Sequence, residues 1–119
     1  MKFEYFEDSK GKRPFQEFLD SLSAKDSAKL LWVIRSIEQL GLETAKRQKW
    51  TKKIEDNLFE VRSIQGSDIQ RGFYFNYDNG KYIITHGFSK KVDKTPKREI
   101  KRAKTIRADF MNKKAKEKR

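Results

Sequence analysis

Leu58-Phe-Glu-Val-Arg62, Ile69-Gln-Arg-Gly-Phe-Tyr-Phe-Asn-Tyr77 and Lys81-Tyr-Ile-Ile-Thr-His-Gly-Phe88 follow one another closely, and the third runs on into Ser89-Lys90-Lys91. Aromatic and β-branched residues fill these runs, as suits a pleated, half-buried surface. They predict consecutive strands over about 58–64, 69–77 and 81–88. Asp78-Asn79-Gly80 separates the last two, and Asn-Gly accepts the positive φ angles of a type I′ hairpin turn. Each run also carries a polar group that packing does not need: Arg62, Arg71 and His86. Neighbouring antiparallel strands would bring these groups, with Lys90 and Lys91, toward one sheet. A sheet that displays cations and few carboxylates is suited to holding phosphates.

Upstream, Lys2 to Glu7 alternates weakly and reads as a first strand, followed by a turn at Asp8-Ser-Lys-Gly11. Pro14 suits the first position of a helix, where its missing N–H costs nothing. That helix, to about Leu22, would bury Phe15, Phe18, Leu19 and Leu22. Ser23 then resembles an N-cap with Asp26 in the first turn. Leu30, Val33, Ile34, Ile37 and Leu40 follow at helical spacing, and Gly41 is the natural stop. Glu43 to Asn57 reads as a polar, basic loop pinned by Trp50 and Ile54, with Asn57 able to take a left-handed conformation. Downstream, Thr95-Pro96 opens a last helix with Thr95 as its cap and a narrow stripe of Ile100, Ala103, Ile106 and Phe110. The expected order is β-α-α-β-β-β-α, an α+β fold with a small twisted antiparallel sheet. Residues 1–112 read as one domain, and 113–119 as a frayed basic tail.

A chain of 119 residues is one domain by size. Charged residues reach 39%, which leans toward disorder, but 13% aromatics supply core area. With no cysteine, disulfides and thiolate metal sites are excluded, and one histidine cannot alone build a conventional zinc site. No metal or cofactor is expected. No apolar run reaches the ~18–20 residues of a membrane span, and the N-terminus lacks a signal peptide's apolar core, so a cytoplasmic setting is expected. Residues 1–40 hold seven basic and seven acidic groups, and 41–89 hold eight and six. Residues 90–119 hold fourteen and four, which is +10 of the net +12. The asymmetry suggests a polyanionic partner, most simply nucleic acid; the alternative is a solubilising tail.

Each candidate residue has a plainer reading. Glu60 could pair across strands with Arg62 or Arg71. His86 could be a hydrogen-bonded structural residue, or the one side chain suited to proton transfer near neutrality. Lys90, Lys91 and Lys94 could be solvated charges, or could line a groove with Lys49, Lys52 and Lys53. Lys97, Arg98, Lys101, Arg102 and Lys104 form the outer face of the last helix, where they could meet RNA phosphates. No carboxylate couple, Gly-rich phosphate loop or nucleophile signature is visible.

Leu58-Phe-Glu-Val-Arg62, the arginine-led aromatic strand Arg71 to Tyr77, His86-Gly-Phe-Ser-Lys-Lys91, and Lys94-Thr-Pro-Lys97 with Glu99-Ile-Lys-Arg-Ala103 resemble the phage-derived Gp49-like group, HigB-type toxins of the RelE/ParE superfamily. Gln70 and Gly72 depart from its pattern, which often has tyrosine before the arginine and an aliphatic after it. The resemblance implies a toxin with a cognate antitoxin, such as a helix-turn-helix protein, and a role on the ribosome. It implies metal-free mRNA cleavage, in which the 2′-hydroxyl attacks its own phosphodiester among basic side chains. The matching positions are Arg62, Arg71, His86, Lys90 and Lys91; Lys52 and Lys53 match less securely. On this reading Arg71→Ala abolishes cleavage and leaves stability unchanged. ParE-like relatives poison gyrase instead, and a basic RNA-binding module without chemistry is a further alternative.

Overall fold

A computed structural model describes residues 1–65, 68–90 and 94–118. The elements are β1 (Lys2–Tyr5), α1 (Pro14–Ser21), α2 (Ala24–Leu40), α3 (Leu42–Arg47), β2 (Thr51–Glu55), β3 (Leu58–Gln65), β4 (Asp68–Asp78), β5 (Lys81–Lys90) and α4 (Lys97–Glu117). The fold is α+β. Its five-stranded sheet has the order β1-β5-β4-β3-β2. The β2–β3, β3–β4 and β4–β5 pairs are antiparallel, while β1 lies parallel to β5, so the sheet is mixed rather than wholly antiparallel.

Local signals act where the sequence places them. Pro14 opens α1, the Ser23 hydroxyl accepts the Asp26 N–H at 3.1 Å, and Gly41 ends α2 with φ 89°. Asn57 does take a left-handed φ of 48°, and its side chain exchanges hydrogen bonds with the Asn76 backbone at 2.9 and 2.8 Å. Several local expectations fail. The segment expected to be a loop forms α3 and β2, because the β2–β3 turn at Asp56-Asn57 lets Lys52 and Lys53 join the ladder opposite Glu60 and Phe59. Gly80 takes a positive φ of 72° but Asn79 does not, so the β4–β5 turn is not type I′. Thr95 does not cap α4; its hydroxyl is turned into the fold, toward Glu60, and Pro96 stands at the cap position. The last helix continues to Glu117, through residues expected to fray.

Both sheet faces are covered, which explains why the strands lack a clean alternation. On one face α1, α2 and α3 pack Phe15, Leu19, Leu30, Val33, Ile34, Ile37 and Ala45 against Val61, Tyr74 and Ile84. On the other, α4 lays Ala103 and Ile106 over Leu58, Phe73, Phe75, Ile83 and Phe88. Ile100 and Phe110 flank that contact as expected. The Arg107 guanidinium donates to the Asp56 and Asn57 carbonyls at 3.0 and 2.7 Å, and Lys104 pairs with Glu55 at 3.1 Å. These contacts tie α4 to the β2–β3 turn. Among the described residues, no helix is long and apolar enough to cross a membrane.

Candidate nucleic-acid interface

The strand register sorts the candidate residues. Arg62 stands directly opposite Arg71, and Lys90 opposite Ile69, whose side chain shares a face with Arg71. Arg62, Arg71 and Lys90 therefore lie near one another on the face that α4 covers, at the end of the sheet where β3, β4 and β5 meet. A register shift between Gly72 and Tyr74 puts His86 on that same face. Strict period-two alternation would align His86 with Ile84, yet Ile84 packs under the α1–α2 layer and His86 lies against Phe73 and Phe88. One extra residue in a strand reverses the parity beyond it.

Burial then divides the group. Arg71 and Glu60 are wholly buried and paired, with Nη1 and Oε2 3.6 Å apart. Thr95 links them: its hydroxyl donates to Glu60 Oε2 at 2.8 Å and accepts from Arg71 Nη1 at 3.4 Å. The guanidinium also lies 5.8 Å from the centre of the Phe88 ring. The cross-strand pairing of Glu60 with an arginine is thus the arrangement present. Arg62 is half-buried at the edge, with Nε donating to the Lys49 carbonyl at 3.2 Å. Lys90 is half-buried, and Lys91 lies outside the described residues.

His86 is enclosed. Its Nδ1 is 3.0 Å from the Thr85 hydroxyl, and its Nε2 is 3.4 Å from Glu99 Oε1 on α4. A carboxylate so close favours an imidazolium. Burial outweighs it, and Arg102 adds to burial, so the pKa falls to about 3 and the ring is neutral near pH 7. In this arrangement the imidazole is shut off from solvent and is neutral near pH 7, without the acidic second proton of an imidazolium.

The remaining basic candidates are exposed but not gathered. Lys52 and Lys53 alternate on β2, so Lys52 shares the face of Glu60 while Lys53 points to the other side, 3.8 Å from Asp56. Lys49 has a positive φ of 61° at the corner before β2. Lys94 is exposed just ahead of α4, and Lys97, Arg98, Lys101, Arg102 and Lys104 line its outer side. Lys97, Lys101 and Lys104 border a shallow trough there.

One functional candidate escaped the sequence reading. Trp32 is 53% exposed on α2, edge-to-face with Trp50 at 5.6 Å and under the Lys29 ammonium at 4.8 Å. The signal was present. Trp32 falls off the stripe of Leu30, Val33, Ile34 and Ile37, so the largest side chain of α2 had no core position waiting for it.

The family model described as phage-derived protein Gp49-like matches residues 17–108, about three quarters of the chain. The chain belongs to the Gp49-like family. That family is toxin-like, of RelE/HigB type. The match spans α1 to α4 and includes Arg62, Arg71, His86 and Lys90. No curated protein matches the chain.

Proposed function

We propose that this Gp49-like chain is the toxin of a type II toxin–antitoxin pair and cleaves mRNA on the ribosome as a metal-independent endoribonuclease of HigB type. The observation that carries this reading is the juxtaposition of Arg62, Arg71 and Lys90 on one sheet end, within a toxin-like family. The chemistry asked of them is modest. The 2′-hydroxyl loses its proton as it attacks the adjacent phosphorus, the bond to the 5′-oxygen breaks and that oxygen takes up a proton, and a 2′,3′-cyclic phosphate and a 5′-hydroxyl end form. The site must orient the phosphate and stabilise the charge that develops on it, which cations in a partly dry setting do well. Arg62 and Lys90, half-exposed, are the groups that meet the phosphate. Arg71 stands behind them, held by Glu60 and Thr95, and reaches the substrate only by exchanging those partners. The cytoplasm, the ribosome and a cognate helix-turn-helix antitoxin complete the proposal.

Expression of the chain alone in a bacterium tests it. Growth should arrest, and primer extension should find translated transcripts cut. Arg62→Ala and Lys90→Ala, at half-buried positions, should each lower cleavage, by about 10²–10³ if the lost group stabilises the transition-state charge. Intact transcripts together with trapped gyrase–DNA complexes would replace this reading with gyrase poisoning.

A further inference from the structure

A second basic surface opens at the edge of the sheet. Lys29 of α2, the corner Lys49-Trp50 and the end of β3 border a cleft of about 360 Å³, which Val33, Gln48, Arg62 and Ile64 also line. That volume is in the range of ligand clefts, roughly 300–1,000 Å³. Its described lining holds three cationic side chains and no carboxylate. Ile64 is 60% exposed, and Trp32 stands beside the cleft, 53% exposed. The Trp32 indole is steadied edge-on by Trp50, and a lysine ammonium lies over its ring. An exposed flat ring among cations is the combination that binds single-stranded nucleic acid: the ring stacks a base and the cations take its phosphates. An exposed cation–π contact is weaker than a base stack, so a base can displace Lys29, whose ammonium then moves to a phosphate.

We propose that this cleft is a base-stacking subsite for single-stranded RNA. A nucleobase lies on Trp32, and the flanking phosphates are held by Lys29, Lys49 and Arg62. Arg62 stands directly opposite Arg71, so the subsite adjoins the cationic sheet end. The choice of RNA over other polyanions rests on the ribonuclease reading above. A duplex does not fit, because its base faces are already stacked.

The chain's two tryptophans, Trp32 and Trp50, both belong to this surface, so intrinsic fluorescence reports on it directly. The experiment titrates the full chain with a short 2′-O-methyl RNA strand, which cannot be cleaved, and with an abasic strand of the same length. The base-bearing strand should quench saturably, and the abasic strand should bind about ten-fold more weakly, the loss that one stack gives. Trp32→Ala should weaken the base-bearing strand by a similar factor with unfolding unchanged, and Trp32→Phe should restore most of it. Equal binding of both strands, or full binding by Trp32→Ala, overturns the subsite. So does a Trp32→Ala chain that loses its antitoxin but keeps its RNA, which makes the patch a protein interface. Because the strand cannot be cut, a chain that binds it through Trp32 yet leaves cellular mRNA whole refutes the ribonuclease and not the subsite.

Discussion

Arg71 sits between two demands. A substrate needs its charge, and the fold has already used that charge against Glu60, in a place with no solvent access. Removing the guanidinium leaves a carboxylate buried without its counter-charge, which costs about 3–5 kcal/mol in comparable pairs. Arg71→Ala should therefore lower the urea midpoint strongly, contrary to the sequence expectation of unchanged stability. Replacing both partners with apolar residues, Glu60→Leu with Arg71→Met, should recover much of the loss. A single variant that unfolds at the wild-type midpoint would mean that the pair contributes nothing. His86 gives a second residue-scale test. Its pKa drops from 6.5 in the unfolded chain to about 3 in the fold, mainly through burial and then through Arg102. The folded chain thus refuses a proton that the unfolded chain accepts below pH 6.5. The stability is whole above that value and declines as pH falls toward 3, with a limiting slope of about 1.4 kcal/mol per pH unit. His86→Gln should flatten the decline of the melting temperature between pH 6.5 and 4, whereas parallel curves for the two proteins would place the titration elsewhere.

At the scale of elements, α1 is seated on a pair of glycines. Gly72 of β4 and Gly87 of β5 stand opposite one another under it. A Cβ on Gly87 would fall 2.2 Å from Phe18, and one on Gly72 would fall 2.8 Å from Phe15 and 3.3 Å from Val61. Gly72 therefore has no room for a side chain: the helix rests directly on the backbone there. Phe15 is fully buried and has nowhere to go, while Phe18 is half-buried and can turn outward. Gly72→Ala should accordingly cost more than Gly87→Ala, although its contact is the longer; overpacking of this kind costs about 1–3 kcal/mol. Chemical denaturation of the two variants gives the order, and the reverse order would mean that the α1 seat yields at Phe15.

Over the whole molecule, charge is distributed by element. The +10 of residues 90–119 rides largely on α4, whose apolar stripe is docked and whose cations face outward. Not every cation there is available to a partner. Lys104 holds Glu55, and Arg102 acts on His86. Lys97, Arg98 and Lys101 are exposed and form no ion pair among the described residues. Reversing these three to glutamate should weaken ribosome association and make its logarithmic salt dependence shallower by up to about 3, since each phosphate contact releases close to one counterion. Cut-site preference should not change, because contacts of this kind carry no sequence information. Sedimentation with ribosomes over a salt series measures both quantities, and an unchanged slope would reduce the α4 charges to a solubilising run.

Local chemistry determined much of this protein. Ser23, Gly41, Pro14 and Asn57 act through their own backbone or the next turn, so their effects were legible residue by residue. The three central strands and the stripe of α4 were legible for the same reason, since periodicity is a local property. The loop that became α3 and β2 was not. Lys52 and Lys53 have no strand preference of their own and are held by the ladder of β3. The parallel pairing of β1 with β5 also depends on segments far apart in the chain. The candidate site divides along the same line. Which cations lie on the central strands could be read directly from the sequence. Only the tertiary structure decided that Glu60 and Thr95 hold Arg71, that a one-residue shift in β4–β5 turns His86 beneath α4, and that Trp32 is left outside. Burial and register are set by what packs across the sheet, and no single stretch of sequence contains that.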